Sequence, residues 1–124
     1  MKNIEKTMEL MANGMTISKA LAEVYETRKI HIPFKREKMD IPLTELTFSN
    51  RIKHCFEAAN FKSLIEVIDY IEEHGWIKIR GFGKTSATEV FEKILDVAWE
   101  KLNIEERAAF LLLVNDENKA RRKL

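Results

Sequence analysis

The chain has 124 residues, 45% hydrophobic and 33% charged, with only four Gly and two Pro, a balance that fits one modest core and favours helices over a β-sandwich. A formal net charge of +1 excludes a strong overall pull on a polyanion, and a single cysteine, Cys55, excludes an internal disulfide. No run of about 18 apolar residues is present to span a membrane, and the acids in "MKNIEKTMELMANGM" do not suit a signal peptide, so a reducing, cytoplasmic setting is expected.

In chain order, "NIEKTMELMA" sets Ile4, Met8 and Met11 at helical spacing, and Asn13-Gly14 is a helix stop. A second helix follows in "TISKALAEVYETR", capped by Thr16 or Ser18, with Ile17, Leu21, Val24 and Tyr25 on one face. The helix–Gly–helix start is a weak helix-turn-helix pattern, and packing is the more ordinary role for it. In "KIHIPFKREK" the period changes to alternation, which predicts a strand or an extended arm, although Pro33 argues against a central strand. Pro42 begins a short turn.

From residue 49 the predicted helices crowd together. "SNRIKHCFEAANF" offers Ser49 or Asn50 as a cap and Ile52, Cys55, Phe56 and Ala59 as its inner face. "FKSLIEVIDYIEEHG" has Ser63 as a cap, Leu64, Val67, Ile68 and Ile71 inside, and Gly75 as a stop. "WIKI" is a helical turn or a brief extended piece. The longest periodic stretch is "KTSATEVFEKILDVAWEKL", with Val90, Phe91, Ile94, Leu95, Val97 and Ala98 inward. Asn103 with Glu106 forms a capping-box pattern before "AAFLLLV", which is apolar nearly all round and needs either a core or a second copy, a homodimer through residues 104–114.

The stretch "IKIRGFGKTSATEV", residues 77–90, carries the functional question. "GKT" at 83–85 is like the end of a phosphate loop, but the glycine that motif needs five positions before Gly83 is Lys78. No alternating strand–helix pattern supports a nucleotide-binding domain either. A helix–hairpin–helix fits better. Gly81 and Gly83 let the backbone turn sharply, Phe82 pins the turn, and Ile77 and Ile79 precede it as apolar positions. Lys84, Thr85 and Ser86 then open a helix whose first amides lack internal partners and suit a phosphate oxygen. A turn that binds nothing, with Thr85 or Ser86 merely capping the helix, fits the same residues.

Charge is unevenly spread. Residues 1–40 hold 8 Lys/Arg against 6 Asp/Glu, residues 41–103 hold 8 against 10, and residues 104–124 hold 5 against 4. A nucleic-acid site in the middle segment therefore needs a local basic face, for which Arg51, Lys53, Arg80 and Lys84 are the candidates.

"LTELTFSNRIKHCFEAANFKSLIEVI" followed by "IKIRGFGKTSATEVFEKI" resembles the C-terminal domain of the bacterial RNA polymerase alpha subunit over about residues 41–102. The resemblance implies an all-α, compact helical bundle with helix–hairpin–helix elements. It also implies binding to double-stranded DNA in an A·T-rich minor groove, and docking on RNA polymerase or a transcription factor. By that resemblance Arg51 is the minor-groove arginine, Gly83 and Ser86 meet backbone phosphates, and Glu89 is the glutamate of the following helix. His54 stands where the family usually has asparagine and Thr85 where it usually has a second lysine, so weaker DNA binding is expected. The expected interface is thus Arg51, Lys53, His54, Arg80, Gly81, Gly83, Lys84, Thr85, Ser86 and Glu89.

The expected organisation is an N-terminal helical and extended arm, 1–40, and a helix–hairpin–helix domain with an extra C-terminal helix, 41–124. No polymerase assembly domain is visible, so the expectation is a stand-alone alpha-C-terminal-like protein. His31, His54 and His74 are too scattered for a metal site, no cofactor motif is present, and no catalytic set has recognisable spacing. A binding module is expected rather than an enzyme, with a protein-interaction adaptor of little DNA affinity as the alternative.

Overall fold

The computed structural model describes residues 2–26, 30–32 and 34–121, without the Ile77 side chain. Among these residues it is all-α. The helices are α1 (Lys2–Ala12), α2 (Ile17–Val24), α3 (Asn50–Ala58), α4 (Leu64–His74), α5 (Lys84–Lys101) and α6 (Ile104–Glu117). Short 3₁₀ turns lie at Arg36–Met39, Leu43–Glu45 and Trp76–Lys78. No helix is long and apolar enough to cross a membrane.

Two compact units form. One is discontinuous, joining residues 1–33 to 95–124, and the other is residues 34–94. Residues 34–40 group with the helix–hairpin–helix segment, and the C-terminal helix groups with α1 and α2.

In the discontinuous unit, α2 buries Ile17, Ala20, Leu21 and Val24, joined by Leu95, Ala98, Trp99, Phe110, Leu111 and Val114. Thr16 caps α2, and a second anchor comes from far along the sequence: Ser18 donates its amide and its hydroxyl to the two oxygens of Asp96, each at 3.0 Å. Tyr25 is buried; its hydroxyl donates to Asn115 at 2.9 Å, and burial pushes the phenol's pKa up. The Arg107 guanidinium lies 4.8 Å from the Trp99 ring and its Nε donates to the Trp99 carbonyl, so Trp99 serves the core. On α1 the buried residue is Thr7, with Ile4 and Met11 half-buried beside it, while Met8 is 57% exposed. Thr7 tolerates burial because its hydroxyl donates to the Asn3 carbonyl at 2.8 Å. In α6, Asn103 and Glu106 form the expected capping box.

The 34–94 unit is built on Met39, Phe48, Ile52, Phe56, Leu64, Val67, Ile68, Ile79, Val90 and Ile94, all buried. Phe56 is its hub, with ring centroids 5.2 Å from Phe48, 5.9 Å from Phe61 and 6.1 Å from Phe82. Truncating such a ring to alanine costs about 3–5 kcal/mol. Helix α3 starts at a Ser49 cap and ends in a Schellman motif: Asn60 takes φ 62°, and the Phe61 amide donates to the Phe56 carbonyl at 3.0 Å. Ala59, expected inside, is therefore exposed at the cap. Helix α4 has a Ser63–Glu66 capping box and stops at Gly75 with φ 87°. Accepting from the Lys62 and Ser63 amides holds the Glu66 carboxyl below its ordinary range.

The alternating stretch "KIHIPFKREK" forms no strand among its described residues. Arg36 sits in a 3₁₀ turn, and its two terminal nitrogens grip both oxygens of Asp69 on α4. That pairing lowers the Asp69 pKa. The next segment clamps the α3–α4 connection, with the Leu43 amide donating to the Lys62 carbonyl and the Leu64 amide to the Ile41 carbonyl, each at 2.9 Å.

Candidate nucleic-acid interface

The bend between the Trp76–Lys78 turn and α5 depends on one glycine. Gly81 has φ 88°, a conformation that favours glycine. The Phe82 amide closes the turn onto the Ile79 carbonyl at 3.1 Å, Ile79 is buried, and the Phe82 ring meets Phe56. Under the bend lies Cys55: a Cβ on Gly81 would come within 2.9 Å of its Sγ. Gly83 is different. It is not among the positive-φ residues, and a Cβ there would meet nothing within 4 Å. The two glycines were expected to share the turning; Gly81 alone takes the left-handed conformation, and Gly83 leaves open space above the backbone.

Helix α5 begins at Lys84, so neither Thr85 nor Ser86 occupies the cap position. Its first i to i−4 bond runs from the Ala87 amide to the Gly83 carbonyl at 3.0 Å. The amides of Lys84, Thr85 and Ser86 precede that bond, at the positive end of an 18-residue helix. Lys84 and Thr85 are exposed, whereas Ser86 is only 5% exposed. A shallow groove of about 420 Å³ runs past Lys84, Thr85, Thr88, Glu89 and Glu92.

Arg51 reaches this bend from the first turn of α3. Its guanidinium lies 3.5 Å from the Gly81 carbonyl, a long contact that leaves most of its donors uncommitted. Arg51 is exposed, and among the described residues it makes no ion pair. His54, one turn on, shares that side of α3 and is exposed, as is Arg80 just before the bend. Lys53 does not join them. It lines a separate cleft of about 420 Å³ with Phe48, Phe56, Phe61 and Glu57, because two residues along a helix turn a side chain well away.

Glu89 holds the helices in register. Its Oε2 accepts from the Ser49 amide at 2.8 Å, tying α5 to the residue that caps α3. Glu89 was readable as a site residue, but not this partner, which lies forty residues away. Cys55, expected on the inner face of α3, is half-buried beneath the bend; its spacing of four from Arg51 was the available signal. Among the described residues no group of three or more His, Cys, Asp or Glu is placed to hold a metal ion.

In comparisons with known proteins, the family model for the C-terminal domain of the bacterial RNA polymerase alpha subunit matches residues 31–96, just over half of the sequence. No curated protein and no solved structure matches it. The match spans α3, α4 and the hairpin, and the protein belongs to the family of the bacterial RNA polymerase alpha C-terminal domain.

Proposed function

We propose that this protein is a DNA-binding, transcription-associated module, cytoplasmic and non-enzymatic, whose ligand is double-stranded DNA. Arg51 enters the minor groove, with A·T-rich sequence preferred because its narrow groove concentrates negative potential. The amides of Lys84–Ser86 and the Lys84 ammonium hold a backbone phosphate, Gly83 gives that phosphate room, and Arg80, His54 and Thr85 flank it. Ser86 contributes through its amide, since its side chain is buried. The observation carrying this reading is the exposed Arg51 guanidinium beside the bend that opens α5. Family membership supports it, and supports polymerase or a transcription factor as the protein partner. With Glu89 and Glu92 lining the same groove as Lys84, the face is only modestly positive and binding is weak and salt-sensitive.

Fluorescence anisotropy on an A·T-rich duplex at low salt tests the reading. Arg51→Ala lowers affinity and reduces the preference for A·T-rich duplex, and Lys84→Ala reduces the slope of log K against log salt by about 1. If both variants bind as the unaltered protein does, the site is misassigned.

One observation favours a second reading, a protein-interaction adaptor. On α6, Ile104 is 82% exposed, Leu112 44% and Leu113 45%, large apolar side chains that a partner, including a second copy, would cover. Sedimentation together with the duplex titration separates the two: self-association without duplex binding supports the adaptor.

A further inference from the structure

Lys53 has no task at the bend. It stands instead at the rim of a cleft that lies wholly within the 34–94 unit. Three pieces of chain make this cleft. The 3₁₀ turn Leu43–Glu45 supplies Leu43 and Thr44, α3 supplies the buried Phe56, and the Schellman turn that ends α3 supplies Phe61. These walls are fastened to one another. The Leu43 amide donates to the Lys62 carbonyl at 2.9 Å, the Phe61 amide donates to the Phe56 carbonyl at 3.0 Å, and the two phenyl rings meet at 5.9 Å. The cleft is therefore formed before anything enters it. Its volume, about 420 Å³, lies in the range of small-molecule sites, roughly 300–1,000 Å³.

Its charged groups are few and exposed. Lys53 and Lys62 bring two ammonium groups and Glu57 one carboxylate, while Glu45, on the neighbouring turn, does not line the cleft. Among the described residues Lys53, Lys62 and Glu57 make no ion pair, although Lys62 is also attracted by Glu66. Lys93 places a further ammonium 6.0 Å from the ring of Phe48, another wall residue. At the end of α3 the carbonyls of Cys55, Phe56 and Glu57 accept from the Ala59, Phe61 and Asn60 amides, so the side chains set the sign of the charge there. An apolar hollow with a surplus of ammonium groups at its rim complements a molecule with an apolar body and one anionic end.

We propose that the cleft between the Leu43–Glu45 turn and α3 binds a small amphipathic carboxylate, its apolar body against Phe56 and Phe61 and its carboxylate on Lys53, with Lys62 beside it. This goes beyond the DNA-binding reading and is independent of it.

Three probes with one body separate charge from hollow: octanoate, 1-octanol and octylammonium, each titrated into the whole protein and followed by amide and aromatic NMR shifts. Octanoate is expected to shift Lys53, Phe61 and Lys62 with a dissociation constant of about 1 mM or below, octanol to bind there about fivefold more weakly, and octylammonium about tenfold more weakly or worse. Lys53→Gln and Lys62→Gln together weaken octanoate about fivefold and leave octanol unchanged, whereas Glu57→Gln tightens octanoate about twofold. All three positions are exposed, so the fold tolerates these substitutions. Equal affinity for the three probes, or octanoate binding that the lysine double variant does not change, overturns the proposal and leaves an apolar hollow with no preference for charge. Octanoate shifts confined to Leu112 and Leu113 of α6, or no shift in the cleft at about 20 mM, overturn it as well.

Discussion

Gly81→Ala gives the most direct check on how the bend is built. An L-residue forced to φ 88° loses about 1–2 kcal/mol against the unfolded state. The new methyl also stands 2.9 Å from Cys55 Sγ, and relieving such overpacking costs typically about 1–3 kcal/mol. The side chain of Cys55 is short and sits on α3, so it has few ways to retreat. We expect a total loss of about 2–5 kcal/mol, seen in urea unfolding as a midpoint lowered by roughly 1–2.5 M. The two contributions separate in a Cys55→Ala background. There the thiol is gone, the second substitution carries only the backbone term, and a coupling of about 1 kcal/mol appears in the double-mutant cycle. A loss under about 0.5 kcal/mol for Gly81→Ala, or the same loss in both backgrounds, would refute the reasoning.

Gly83→Ala should behave in the opposite way: with open space and no positive φ it changes stability by less than about 0.5 kcal/mol or raises it, yet weakens duplex binding because the methyl occupies the approach to the α5 amides. Asp96→Ala strands the amide of buried Ser18, leaves its hydroxyl only the 3.3 Å contact with the Thr16 hydroxyl, and should lower stability by about 1–3 kcal/mol in a denaturant melt; a change within error would show that water replaces the carboxylate. Acid should loosen the start of α4. The folded pKa values of Glu66 and Asp69 lie below the unfolded ones, so their contribution is complete above the unfolded carboxylate range and is lost as pH falls through the folded values. Glu66→Gln should therefore show a shallower decline of stability on acidification, and parallel curves would contradict that assignment.

What the sequence made legible was local chemistry. Thr16, Ser49 and the Ser63–Glu66 and Asn103–Glu106 pairs mark helix starts in the structure, and Gly75 ends α4, because caps are decided within a few residues. The readings that changed turned on partners elsewhere in the fold. The basic arm takes a 3₁₀ turn where Arg36 meets Asp69. At the site, Arg51, His54, Arg80 and the bend were readable as a group, whereas Lys53, grouped with them by charge, lines a separate cleft because helical phase turns it away. The Glu89–Ser49 bond, the thiol under Gly81 and the Ser18–Asp96 anchor join residues 26 to 78 positions apart, which no local pattern in a single sequence encodes.

The discontinuous unit has a consequence for how the protein acquires its shape during synthesis. Helices α1 and α2 leave the ribosome well before Asp96, Trp99 and the buried side of α6 that complete their unit. Residues 34–94 can find all their own partners in the interval. The segment translated earlier is therefore the later to finish folding, and until α6 emerges Ile17, Leu21 and Val24 remain exposed to chaperones and proteases.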